Sequence, residues 1–172
     1  MVEQVVGVIQ HLIQATGKPT TKGWMLVTTE HRILLTQFGG PQMQEALAMS
    51  KAHAKGFMAK LLAGKVLLPQ DIVEYSRKYL KMSPEQILAE TPGNIALDLS
   101  EVARAYVDYE KEGTDEDSHV QVDRYLLTLV SNQGEYKYVF DADPQDMKVL
   151  RAALGDRVHG DGRNKAIKPE LK

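Results

Sequence analysis

Gly23-Trp-Met-Leu-Val-Thr-Thr29-Glu30-His31-Arg32-Ile-Leu-Leu-Thr-Gln-Phe38 holds two runs of β-branched and large apolar residues, broken by a short polar step. That pattern predicts a β-hairpin. Upstream, Gln4 to Gln14 is rich in Val5, Val6, Val8 and Ile9 and reads as a strand, with Ala15 to Lys22 as the loop that leads into the hairpin. Downstream, Gly39-Gly40-Pro41 marks a change of period. Met43, Leu47, Ser50, Ala54, Phe57 and Leu61 recur at alternating spacings of four and three, which predicts one stripe of a helix running to about Ala63.

A second helix is expected from Pro69 to about Lys81, with Ile72, Val73, Ser76, Tyr79 and Leu80 on its packed side. Ser83 and Gln86 have capping-box spacing and open a short third helix, which Thr91-Pro92-Gly93 ends. Residues 41 to 93 therefore read as a helical insertion of about fifty residues. Strand signals return at Ile95 to Leu97 and Ala103 to Glu110, then in Val120 to Val130 and Tyr136 to Phe140, which flank the turn Ser131-Asn132-Gln133-Gly134. Asp143-Pro144 starts a last helix with Met147, Leu150, Ala153 and Leu154 on one side. The count is seven strands and a closing helix in one domain, residues 1–158. A polar, basic tail, 159–172, is expected to be mobile.

At 172 residues, with 43% hydrophobic and 26% charged side chains, the chain has ordinary globular composition and needs no staple to build a core. It has no cysteine, which excludes a disulfide scaffold and thiolate chemistry and suits a reducing, cytoplasmic setting. The start of the sequence lacks the features of a signal peptide, and no run approaches the roughly 18 apolar residues of a membrane span. A net charge of −2 argues against a nucleic-acid binder. The charge is uneven: Lys51, Lys55, Lys60 and Lys65 face only Glu45 in residues 41–68, whereas residues 98–117 hold eight acids against Arg104 and Lys111.

The stretch Gly23 to Leu35, with Thr29 and Arg32 in T-x-x-R spacing, resembles the hairpin of GRAM and bacterial PH-like domains. Ile95 to Val102 and the hairpin plus helix from Tyr125 to Leu154 are similar to later parts of the same family. The resemblance implies an α+β, PH-like fold: a seven-stranded antiparallel barrel or sandwich of two near-orthogonal sheets with a C-terminal capping helix. The helical insertion and the lack of a tryptophan in the last helix depart from that pattern.

Two kinds of surface stand out. Met43, Leu47, Ala54, Phe57, Met58 and Leu61 offer an apolar stripe for the chain's own core, a protein partner or a second copy of the chain. Lys18 and Lys22 in the first loop, with Lys51, Lys55 and Lys60 on the insertion helix, form a candidate anion or lipid surface, since cationic amphipathic helices lie on anionic membranes. At the start of a strand after a tight turn, Arg32 offers a place for an anionic ligand, but the resemblance implies a mainly structural role for it.

No enzyme is expected. The serines lack an elbow motif, the glycines form no phosphate loop, and His11, His31, His53, His119 and His159 lack metal spacing, so no metal and no cofactor is assigned. The Asp115-Glu116-Asp117 run lacks the glycine and glutamate of a calcium loop. Asp141 and Asp143 read as turn and N-cap. The expectation is a non-enzymatic interaction module, binding a protein partner or itself through the insertion; the alternative is a peripheral membrane domain.

Overall fold

The computed structural model describes residues 3–15, 23–53, 69–111 and 123–160. Eight strands form one sheet: β1 (Val5–Gln14), β2 (Gly23–Thr29), β3 (Arg32–Phe38), β4 (Ile95–Asp98), β5 (Val102–Lys111), β6 (Asp123–Ser131), β7 (Gly134–Asp141) and β8 (Val158–His159). Their order is β4-β3-β2-β1-β7-β6-β5-β8. Between β3 and β4 lie α1 (Gly40–His53), α2 (Pro69–Ser76) with a 3-10 turn over Arg77–Lys81, and α3 (Pro84–Ala89). The last helix, α4 (Pro144–Leu154), follows β7.

This corrects the expected seven strands in two near-orthogonal sheets. β1 bonds to β2 along its length and to β7 at Ile13↔Val139 and Gln14↔Tyr138, so one strand's two edges join both halves into a single sheet. The eighth strand takes in His159, the first residue of the expected mobile tail. Arg157 holds it in place by donating to the carbonyls of Leu99 and Val102, which sets Val158 and His159 parallel to Ala105 and Tyr106 of β5. The sheet is thus mixed. The other pairings are antiparallel.

Local chemistry sets the element ends. Ser83 and Gln86 make the reciprocal capping box that the spacing predicts. The Asp143 carboxylate caps α4 by accepting from Gln145 N at 2.8 Å, and Gly155 leaves the helix at a φ of 56°. In the β6–β7 turn Gly134 takes a φ of 130°, which a side chain would resist.

The β2–β3 hairpin is buried on both faces, which explains its near-continuous apolar runs. On one face Leu26, Ile33 and Leu35 join Ile9, Leu12, Leu127, Tyr138 and the α4 residues Met147, Leu150 and Leu154. Gly7 lets α4 approach, because a Cβ there would stand 2.7 Å from a Val149 methyl. On the other face Met25, Val27, Leu34 and Phe38 pack against Ala46, Tyr75, Tyr79 and Ile87 of the insertion. Phe38 and Tyr75 meet edge to face at 5.3 Å, as do Tyr75 and Tyr79 at 6.0 Å.

Polar latches hold the insertion to the sheet and its helices to one another. Gln10 donates to Ser76 at 2.6 Å, Gln42 to Thr91 at 2.6 Å, and the Asn94 side chain bridges Gln37 N and the Ile87 carbonyl. Lys78 pairs with Glu90 at 2.6 Å and Glu45 at 2.9 Å and lies 4.1 Å from the Tyr75 ring centroid. Burial pulls its pKa down, but the two carboxylates outweigh that and leave it above the ordinary lysine value.

Leu34→Ala and Leu35→Ala probe the two faces of one strand. Each is expected to cost about 2–5 kcal/mol in urea unfolding. A nearly neutral Leu34→Ala would mean that the helices do not cover their face.

Candidate functional site

The strongest candidate for a site is an open groove where the ends of β1, β2 and β3 meet α1 and α2. Ile13, Trp24, Met25, Phe38, Met43 and Ile72 wall it, His11 stands among them, and its volume is about 190 Å³. Ile13 is 52% exposed and Met43 40%, so apolar side chains continue from the groove onto the surface. Val6, Val73 and Leu80 are exposed too, and they lie on β1, α2 and the 3-10 turn, which pack against one another. Of the six large exposed apolar side chains among the described residues, Ile13 and Met43 line the groove and Val73 lies on α2 next to its wall residue Ile72. Such clustering, unlike scattered exposure, marks an interaction surface.

A β-bulge shapes the groove. Ile9 pairs with Leu26 but Leu12 pairs with Trp24, so β1 spends one more residue than β2 between them, and His11 there has a φ of 57°. Simple alternation from Ile9 would bury His11 in the α4 core; the bulge gives that place to Leu12. His11 is half-buried. Burial lowers its pKa below the ordinary imidazole value, while the Asp141 charge acts in the opposite sense. The Trp24 Nε1–H is buried without a hydrogen-bond partner among the described residues, as is the hydroxyl of Tyr138, whose ring lies 5.8 Å from that of Trp24. Among the described residues that line the groove, His11 and the Trp24 indole carry the polar side-chain atoms.

The residues singled out from the sequence fare differently. In α1 the buried positions are Gln42 and Ala46, with Met49 packed beside them, one step around the helix from Met43, Leu47 and Ser50. Met43 enters the groove, and Leu47 is half-buried. Lys51 is exposed on α1. Ala54, Lys55, Phe57, Met58, Lys60 and Leu61, like Lys18, Lys22 and the Asp115–Asp117 run, lie outside the described residues. His11, Trp24 and Phe38 were missed as site residues, because the bulge that groups them leaves no periodic mark.

Arg32 is structural. Thr29 Oγ1 accepts from His31 N at 3.3 Å and Arg32 N at 2.8 Å, closing the turn of the T-x-x-R step. The guanidinium pairs with Glu3 and, at 2.7 Å, with Glu85, tying β1's start to α3. The Glu3 hydrogen bond raises the Arg32 pKa, and Arg32 lowers that of Glu3.

Among the described residues no group of three or more His, Asp or Glu side chains is arranged to hold a metal, and no helix is long and apolar enough to cross a membrane. No protein-family model, curated protein or solved structure matches the chain. The likeness to GRAM and bacterial PH-like domains therefore rests on the quoted residues alone.

One titratable group near the β7–α4 junction gives the fold a pH signature. Burial first, then the charges of Asp143 and Asp141, push the Asp146 carboxyl up to about 7. An unfolded aspartate titrates near about 3.9, so between the two values the folded chain holds a proton that the unfolded chain has lost. Stability should fall as pH rises through that window and stay lowered above it. Asp146→Asn is expected to unfold at higher urea than the parent chain at about pH 8 and at nearly the same urea at about pH 4. Identical midpoints at both pH values would place Asp146 in water.

Proposed function

We propose that this chain is a non-catalytic binding domain that takes a bulky apolar or aromatic side chain of a protein partner into the groove between β1–β3 and the insertion. The observation that carries this reading is the open apolar groove with Ile13 and Met43 exposed at its rim. Size favours a side chain over a metabolite. Small-molecule sites enclose roughly 300–1,000 Å³, whereas this groove, at about 190 Å³, suits a single anchoring group. The exposed Val73, next to the wall residue Ile72, then serves as a flanking contact for the rest of the partner segment.

The chain supplies its own reporter. Trp24 is the sole tryptophan and lines the groove. A short peptide with one aromatic residue among leucines is expected to shift Trp24 emission on titration. Ile13→Asp and Met43→Asp alter side chains already exposed to water, so both variants should fold and bind about tenfold or more weakly. Light scattering on the free chain distinguishes the source of the anchor: a dimeric mass that Ile13→Asp returns to monomer makes the partner a second copy. Emission unmoved by peptide, together with a monomeric mass, would sink the reading.

A further inference from the structure

His11 takes a φ of 57°, a conformation uncommon for a residue with a side chain, although histidine, asparagine and aspartate adopt it more often than others. Strain of this kind persists where the surroundings hold it, and it gathers at ligand sites. Here the added residue of the bulge takes the imidazole out of the α4 core and stands it among the apolar walls of the groove. Asparagine or aspartate would suit that backbone as well, so the conformation alone does not call for an imidazole. Half-buried there, the imidazole offers an occupant of the groove a hydrogen-bonding group.

We infer that His11 is the specificity-determining residue of the groove, selecting a ring that carries a hydroxyl, a tyrosine side chain of the partner, over a plain phenyl ring. This rests on the docking function proposed above and adds the chemistry of the anchor. The walls favour an aromatic body: Trp24 and Phe38 offer ring edges and faces, and Met25 and Met43 offer thioethers, which pack well against rings. The volume fits one ring, since cavities of about 150 Å³ take up benzene. A neutral imidazole has one donor and one acceptor nitrogen, and a phenol hydroxyl likewise donates and accepts, so the two can bond in either sense. Burial favours that neutral form. The Asp141 charge also acts on the ring and favours its protonated form, against the effect of burial. A phenyl ring would fill the same space and leave the imidazole unpaired, a loss that polar sites use to reject such analogues.

The test titrates the intact chain with N-acetyl-tyrosinamide and N-acetyl-phenylalaninamide, which differ by one hydroxyl. Emission of Trp24, excited at the red edge of its band, reports binding of either probe. The tyrosine probe is expected to bind about three- to tenfold tighter, the range of one net hydrogen bond. His11→Gly keeps the positive φ and removes the imidazole, so it should bind both probes with the affinity that the parent chain has for the phenylalanine probe. His11→Asn, which also tolerates this backbone and keeps a donor and an acceptor, should restore part of the preference. The imidazole proton resonances of His11, identified by their absence in His11→Gly, should move with the tyrosine probe and stay put with the other. Equal binding of both probes by the parent chain overturns the inference and leaves the groove reading intact. Loss of both probes in a folded His11→Gly overturns it too, since His11 would then be a wall and not a selector. No response to either probe removes the docking reading itself.

Discussion

Burial of both faces of the β2–β3 hairpin is the constraint on which the rest depends. A strand covered on one side tolerates alternating polar residues, but Met25 to Val27 and Ile33 to Leu35 are apolar in succession and need two partners. The sheet's inner face with α4 is one, and the insertion is the other. Without the helices, Met25, Val27, Leu34 and Phe38 would expose a broad apolar surface, so the insertion is part of the fold and no mere appendage. The latches from Gln10, Asn94 and Arg32 fix where it sits.

The groove follows from that arrangement. α1 and α2 cover the hairpin's outer face, and where they end near Gly23, Phe38 and Ile13 the apolar surface opens to water between sheet and helices. The β1 bulge lies at this end. It follows from geometry: β1 pairs with β2 along its length, reaches β7 only at its last residues, and changes register on the way. One added residue serves the sheet's continuity and delivers His11 to the groove. Fold and site share a single backbone irregularity.

Much of the secondary structure was legible because its signals are local. The hairpin's apolar runs, the Ser83–Gln86 capping box, the Asp143 cap and the Gly134 turn each depend on neighbours a few residues apart, and all appear. The α1 stripe shows the limit of periodicity. Met43, Leu47 and Ser50 and the buried Gln42, Ala46 and Met49 have the same spacing one step apart, and the tally of apolar residues favoured the wrong one. A buried glutamine is invisible to a hydrophobic pattern. Its side chain bonds Gly39 N and Thr91, which no pattern could foresee.

The sequence by itself determined where the first seven strands and the helices lie and that the helices stand between β3 and β4. These follow from side-chain periodicity, turn chemistry and capping, which act within a few residues. Only the tertiary structure decided that the strands form one eight-stranded sheet, that Val158–His159 joins it, and that His11, Trp24, Phe38, Met43 and Ile72 share a groove. Those outcomes turn on hydrogen bonds and contacts between residues far apart in the chain, and on one added residue in β1. A shift of a single residue exchanges the two faces of a strand, and the bulge is where that exchange takes place.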